Sequence, residues 1–262
     1  MKKTKSAKKI AITYEKGGCG KTTTAVNLSA ILADKGYRVL LVDLDRQSYA
    51  TNYYDLYSED NPSIFEVMLG TVHPAAATVS TTLENLFMLP CNRNFKAIET
   101  ILMTKTKRQE YTLKSVLDPI ENDYDYIIFD CPPSGERIKE NALTAADYVI
   151  LPLIPDDFAT SGLLQISQEI LEVKRYTNLN IEVLGVLITQ FENTNNKKAY
   201  TEAFQNQTLL PCFKAIIRKN TALSEAINHH LPINKYKPNS HGCEDYTKLT
   251  NEILVLLEKG AH

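Results

Sequence analysis

The run Lys16-Gly17-Gly18-Cys19-Gly20-Lys21-Thr22 constrains this chain more than any other stretch. It joins a short β-rich run, Ile10–Thr13, to a helical pattern over Thr22–Lys35. That pattern carries Val26, Leu28, Ile31 and Leu32 on one side and is closed by Gly36. Glycines let the backbone curl so that successive N–H groups face one anion. A helix starting at the end of the loop adds the positive end of its dipole. Strand, glycines, Gly-Lys-Thr and helix, in that order, make a phosphate cradle. The standard spacing G-x-x-x-x-G-K-[ST] is met at Gly20, Lys21 and Thr22, while the first glycine position holds Glu15. The expected ligand is a purine nucleoside triphosphate with magnesium. Lys21 reaches the β- and γ-phosphates, and Thr22 offers its hydroxyl to the metal.

The rest of the chain alternates in the same way. Arg38–Val42, Leu86–Leu89, Tyr126–Phe129, Tyr148–Leu153 and Val183–Thr189 read as buried strands, with Ala215–Ile217 as a short last one. Helical patterns cover Ser63–Leu69, Lys96–Met103, Gln109–Asn122, Thr160–Tyr176, Lys197–Gln207 and Tyr246–Lys259. Continuous apolar strands separated by helices predict an α/β fold: a single doubly wound domain, its sheet mostly parallel, with helices on both faces. Ligands of such sheets bind beyond the carboxyl ends of the strands, where Lys16–Thr22, Asp43–Asp45, Asp130–Pro133 and Pro155–Phe158 fall. The expected organisation is a basic N-terminal arm over residues 1–9, rich in lysine, followed by one P-loop domain over residues 10–262.

A formal net charge of −2 means that nucleic-acid contact needs a local patch rather than a polycation. The five cysteines are scattered, without a C-x-x-C pair, which predicts reduced thiols in a cytoplasmic protein. No apolar run reaches the roughly 18 residues of a membrane span, so no stable membrane insertion is expected.

The extra lysine is diagnostic. Lys16-Gly17-Gly18-Cys19-Gly20-Lys21-Thr22 resembles the deviant Walker A loop of the ParA/MinD family of ATPases. Leu41-Val42-Asp43-Leu44-Asp45-Arg46-Gln47-Ser48-Tyr49-Ala50-Thr51 is similar to that family's switch segment, with Arg46 in place of the usual proline. Tyr126-Ile127-Ile128-Phe129-Asp130-Cys131-Pro132-Pro133 is similar to its Walker B strand and D-x-P-P turn, and Leu223-Ser224-Glu225-Ala226 to its C-terminal region.

The resemblance implies ATP and Mg2+ as cofactors and nucleotide contacts from Lys16, Gly17, Gly18, Cys19, Gly20, Lys21, Thr22 and Thr23. It implies that Thr22 binds magnesium directly, that Asp130 acts through metal-bound water, and that Asp45 lies near the metal and the attacking water. Asp43 supports the switch segment. Lys16, Lys21 and Asp45 are the expected catalytic residues. Lys16 is expected to cross a homodimer interface to the partner's nucleotide, as an arginine finger does; its plain alternative is a local phosphate contact. For the base, Gln190 ends a strand where the family contacts adenine, and Ile217-Arg218-Lys219-Asn220 matches its I-P-R-N stretch. Arg218 stands where the proline packs on the base, leaving an arginine either to stack on adenine or to point to solvent. No N-K-x-D guanine signature ends a strand, which favours ATP over GTP.

Three branches of the family compete. A metal-cluster protein needs paired interface cysteines, and Cys131 is alone. A MinD-type membrane switch needs a basic amphipathic C-terminal helix, whereas Glu244, Asp245, Glu252 and Glu258 make this one acidic. A ParA-type DNA segregation ATPase fits the motif spellings best. It implies a cytoplasmic, nucleoid-associated ATPase: a homodimer on ATP that binds nonspecific double-stranded DNA and is stimulated by a ParB-like partner. Candidate DNA contacts are Lys197, Lys198, Lys214, Lys235 and Lys237, together with Arg218 and Lys219. A ParA-like positioner of a non-DNA cargo is a close variant. No helix-turn-helix precedes the loop, so operator binding is not expected.

Overall fold

In the computed structural model, residues 6–104, 108–206 and 209–259 are described. Strand β1 (Lys8–Ile12) runs into the glycine loop and helix α1 (Lys21–Asp34). Next come β2 (Val39–Asp43), α2 (Tyr49–Tyr53), α3 (Ile64–Leu69), α4 (Pro74–Ala77), β3 (Val79–Ser80) and β4 (Leu86–Leu89). After them lie α5 (Ile98–Thr104), α6 (Thr112–Leu117), β5 (Tyr126–Asp130), α7 (Glu136–Ala145), β6 (Tyr148–Leu153), α8 (Ala159–Tyr176) and β7 (Glu182–Ile188). Helices α9 (Asn195–Asn206), α10 (Thr221–Asn228), α11 (Ile233–Tyr236) and α12 (His241–Lys259) complete the chain.

The sheet order is β3-β4-β2-β5-β1-β6-β7. Every pairing is parallel except β3 with β4. Successive strand residues point to opposite faces, and the core divides accordingly. Val39, Leu41 and Ile128 join Leu28, Leu32, Leu249 and Ile253 on the face of α1 and α12. Leu40, Val42, Ile127 and Phe129 join Ile138, Leu163 and Ile166 on the face of α7 and α8. Both faces are buried, so the strands lack the alternation of a half-exposed sheet.

Several boundaries differ from the sequence reading. β1 begins at Lys8, so Lys8 and Lys9 belong to the sheet rather than to the arm; Lys2, Lys3 and Lys5 lie outside the described residues. The 109–122 helix is split into a 3-10 turn (Gln109–Tyr111), α6 and a second turn (Glu121–Asp123). No strand forms over Ala215–Ile217; isolated bridges flank it, Val186 with Cys212 and Phe191 with Arg218. The closing helix starts at His241, ahead of Tyr246. Its apolar residues Tyr246, Leu249, Ile253 and Leu257 are buried against the α1 side of the sheet, each side chain contributing roughly 1.5–3 kcal/mol.

Candidate active site

β1 is the switch point of the sheet: β5 and β2 lie to one side of it, β6 and β7 to the other. The glycine loop follows directly. Gly18 and Gly20 adopt positive φ of 73° and 90°, which side chains disfavour, and Gly20 leads into α1. The loop is also held from outside. The Thr189 hydroxyl donates to the Cys19 carbonyl at 2.8 Å, and Gln190 Nε2 to the Gly18 carbonyl at 2.5 Å. Both follow the end of β7, so Gln190, a candidate base contact, is seen here bonded to the loop backbone. The Thr189 contact has no motif of its own and was not legible in the sequence.

The two lysines differ in setting. Lys21 is buried, and its ammonium donates to the Lys16 carbonyl at 3.0 Å. Lys16 is half-exposed and forms an ion pair with Asp156, in the turn between β6 and α8. Thr22 and Thr23, partly exposed, open α1.

The acidic side faces this cradle. Asp43 and Asp130 are register neighbours at the ends of β2 and β5, and both are wholly buried. Asp43 accepts from the Thr51 hydroxyl at 2.7 Å, the Thr51 amide at 2.9 Å and the Asp45 amide at 3.0 Å. Burial still pushes it up to about 6. It therefore braces the switch segment, as expected. Asp45 is nearly buried, and one of its oxygens accepts the Gln47 amide at 2.9 Å.

Asp130 is the exception. Neither carboxylate oxygen has a hydrogen-bond partner among the described residues. Burial, then the neighbouring Asp43, push its carboxyl far above the usual range; Thr22 and Lys21 are near enough to oppose this but not to cancel it. Unpaired buried carboxylates side by side are strongly unfavourable without a cation. The donors are hard oxygens, and no group of three or more His, Cys, Asp or Glu among the described residues makes a metal site unaided. That suits magnesium, which takes one or two protein ligands and completes its shell with phosphate and water.

Several other candidate residues have acidic partners. Glu192 receives Lys197 at 3.1 Å and Lys219 at 2.9 Å. The Arg218 guanidinium neither lies open for a base nor points freely to solvent: it forks onto Asp245 and reaches Glu244 at 2.7 Å. The missed signal is the acidic pair opening α12. Lys235 pairs with Asp34 at 2.8 Å and is exposed, as are Lys198, Lys214 and Lys237. All five cysteines are free, and burial raises each thiol above its ordinary value, so none is poised as a nucleophile.

Fold and site together define a magnesium-dependent P-loop nucleotide hydrolase with a second loop lysine. A family model described as an AAA domain matches residues 7–183. The sporulation initiation inhibitor protein Soj of Bacillus subtilis is 38% identical over 246 residues, 93% of this chain and 97% of that protein. The chromosome partitioning protein ParA of Myxococcus xanthus is 36% identical over 94% of this chain and 87% of its own length. The chain belongs to the ParA/MinD family of partition ATPases. Among solved structures, a Mycobacterium smegmatis protein described as cobyrinic acid a,c-diamide synthase, bound to an ATP analogue and magnesium, superposes with a TM-score of 0.84. It is 32% identical, and the match covers 97% of both chains. A putative plasmid partition protein of Borrelia burgdorferi bound to AMPPNP superposes at 0.81 with 25% identity, over 95% of this chain and 98% of that one. ATP and magnesium are accordingly the cofactors of this ATPase. No helix among the described residues is long and apolar enough to cross a membrane.

Proposed function

We propose that this chain is a ParA-type ATPase for DNA segregation: an ATP-sandwich dimer binds nonspecific double-stranded DNA in the cytoplasm over the nucleoid, and hydrolysis stimulated by a ParB-like partner resets it. The carrying observation is the contrast between the two loop lysines. Lys21 is buried and serves its own nucleotide. Lys16 is half-exposed at the rim, and among the described residues its ammonium pairs with Asp156. An exposed ion pair holds weakly, about 0–1 kcal/mol, so a second nucleotide arriving with another protomer can take Lys16 from Asp156.

In this reading Thr22 and Asp130 hold magnesium, directly and through water respectively, and Asp45 orients the attacking water. Magnesium when bound neutralises charge on the phosphate oxygens. Lys21 and, from the other protomer, Lys16 counter the charge that develops during transfer. Gly17, Gly18, Cys19, Gly20 and Thr23 line the phosphates. Gln190 and Lys219 flank the base, and Arg218 approaches it only by leaving Asp245. For DNA, Lys198, Lys214 and Lys237 are exposed, and the paired Lys197 and Lys235 exchange weak surface partners for phosphate.

The test is light scattering with and without a nonhydrolysable ATP analogue, followed by titration of random-sequence DNA over a salt series. The expected results are a doubled mass with the analogue, and DNA binding that needs it and weakens with salt. An unchanged mass rules out the sandwich. A dimer that ignores DNA at low salt turns the reading toward a non-DNA cargo. Binding to anionic vesicles would support a MinD-type switch, a reading the buried apolar side of α12 disfavours.

A further inference from the structure

The charges around Glu15 have no part in the phosphate chemistry described so far. Glu15 occupies the position that standard loops give to glycine, and its carboxylate reaches toward two helices. Its Oε1 accepts from Lys139 Nζ on α7 at 3.1 Å and from Gln165 Nε2 on α8 at 2.7 Å. The Lys139 side chain is only 11% exposed, and its ammonium also pairs with Glu169 Oε2 at 2.7 Å. One nearly buried ammonium thus serves two carboxylates. Burial opposes its charge, but Glu169 and Glu15 outweigh burial and raise its pKa. Burial and the nearby Glu15 in turn raise Glu169.

The flanking residues are fastened to the same side. The Tyr14 hydroxyl donates to the Ala159 carbonyl at 3.2 Å, in contact with Gly162, where any Cβ would collide with it. Lys16 pairs with Asp156. Tyr14, Glu15 and Lys16 are therefore tied in succession to α7, α8 or the turn ahead of α8. The consequence falls on Lys21, whose ammonium is held by the Lys16 carbonyl at 3.0 Å. That carbonyl belongs to the residue next to Glu15, so fixing the Glu15 side chain fixes the backbone that aims Lys21.

We propose that Lys139 is a positioning residue for ATP binding: it fastens Glu15 and, through the backbone of residues 15 and 16, places the Lys21 ammonium for the phosphates. This rests on the ATP site described above. Without Lys139, Glu15 and Glu169 oppose each other as like charges in a partly buried site, and the entry to the loop loses its anchor on α7. Coupled charged neighbours of this kind change equilibria by roughly threefold to a hundredfold.

The experiment is an equilibrium titration of the full chain with a fluorescent ATP analogue and magnesium, alongside thermal melting of the nucleotide-free protein. Glu15→Ala is expected to bind about fivefold more weakly with unchanged melting, and Lys139→Met about tenfold more weakly. Lys139→Arg and Glu15→Gln, which keep a donor or an acceptor in place, should bind within about twofold of the parent. Wild-type affinity in Glu15→Ala overturns the proposal, as does a loss in Lys139→Met that Lys139→Arg does not recover. If Lys139→Met does not fold, the Glu15 pair decides: equal affinity in Glu15→Ala and Glu15→Gln overturns it. Lys21→Ala separates the two levels. If it retains affinity, the nucleotide site itself is misassigned; if it loses affinity while Glu15→Ala does not, only the role of Lys139 falls.

Discussion

The two walls of the nucleotide site are built on opposite terms. On the cradle side the polar groups already have partners: Lys21 holds the Lys16 carbonyl, Thr189 and Gln190 hold the loop carbonyls, and Lys16 holds Asp156. On the acidic side Asp43 is satisfied by three donors, while Asp130, its neighbour across the sheet, has no close hydrogen-bond partner among the described residues, only Thr22 and Lys21 nearby. The cradle is preorganised before any phosphate arrives. On the metal wall the repulsion between the two buried carboxyls is relieved by a cation or by a proton. Ligand binding on the first side therefore exchanges existing partners, whereas on the second it supplies a missing one.

The largest effects should come from breaking either wall. Lys21→Ala is expected to lower ATP hydrolysis by about 100-fold or more, since it removes a charge aimed at the transferring group; steady-state phosphate release at the parental rate would disprove the assignment. Asp130→Asn should lower hydrolysis to a similar degree, yet make the nucleotide-free protein more stable near neutral pH by roughly 1–3 kcal/mol, because folding no longer has to protonate a buried carboxyl. Denaturant titration without magnesium measures this, and a destabilised variant would contradict the picture of an unsatisfied wall.

Next in size is a pH effect. Asp43 and Asp130 have carboxyls raised above their unfolded values. Such groups bind more protons folded than unfolded, so their stability contribution is full below about pH 4 and is lost as pH rises through about 6 for Asp43. Asp130→Asn should flatten the fall in stability between pH 5 and pH 7, by roughly 1–2 kcal/mol. Magnesium with an ATP analogue should flatten it in the parent. Parallel curves for parent and variant would remove Asp130 from the account.

Smaller effects probe the cradle from its edges. Thr189→Val deletes one neutral hydrogen bond to the loop, which corresponds to about threefold to tenfold in ATP affinity by titration. Asp156→Asn frees Lys16 from a surface pair and should lower the protein concentration needed for ATP-dependent dimerisation by about twofold to fivefold. A higher requirement would mean that Asp156 itself supports the dimer.

Much of this was legible in one dimension because it is local. The loop needs glycines at Gly18 and Gly20, a lysine and a threonine in fixed succession, and a strand and helix on either side. Asp43 and Asp130 each end a continuous apolar run, the mark of a buried parallel strand. Boundaries shifted where tertiary partners compete with periodicity: the 109–122 pattern breaks into a short helix between two turns, and Ala215–Ile217 forms no strand, with bridges on either side at Cys212 and Arg218.

The sequence by itself determined the phosphate loop, the α/β alternation, the acidic strand ends and the family. It could do so because short-range order and spacing carry those features. Only the tertiary structure decided which charges meet: Lys16 with Asp156, Arg218 with Asp245, Glu15 and Glu169 around Lys139, and Asp43 beside Asp130. Those pairings join residues far apart in the chain. Their energies depend on burial and distance, which are fixed only when the sheet order places β5 beside β1 and folds the helices back over both faces.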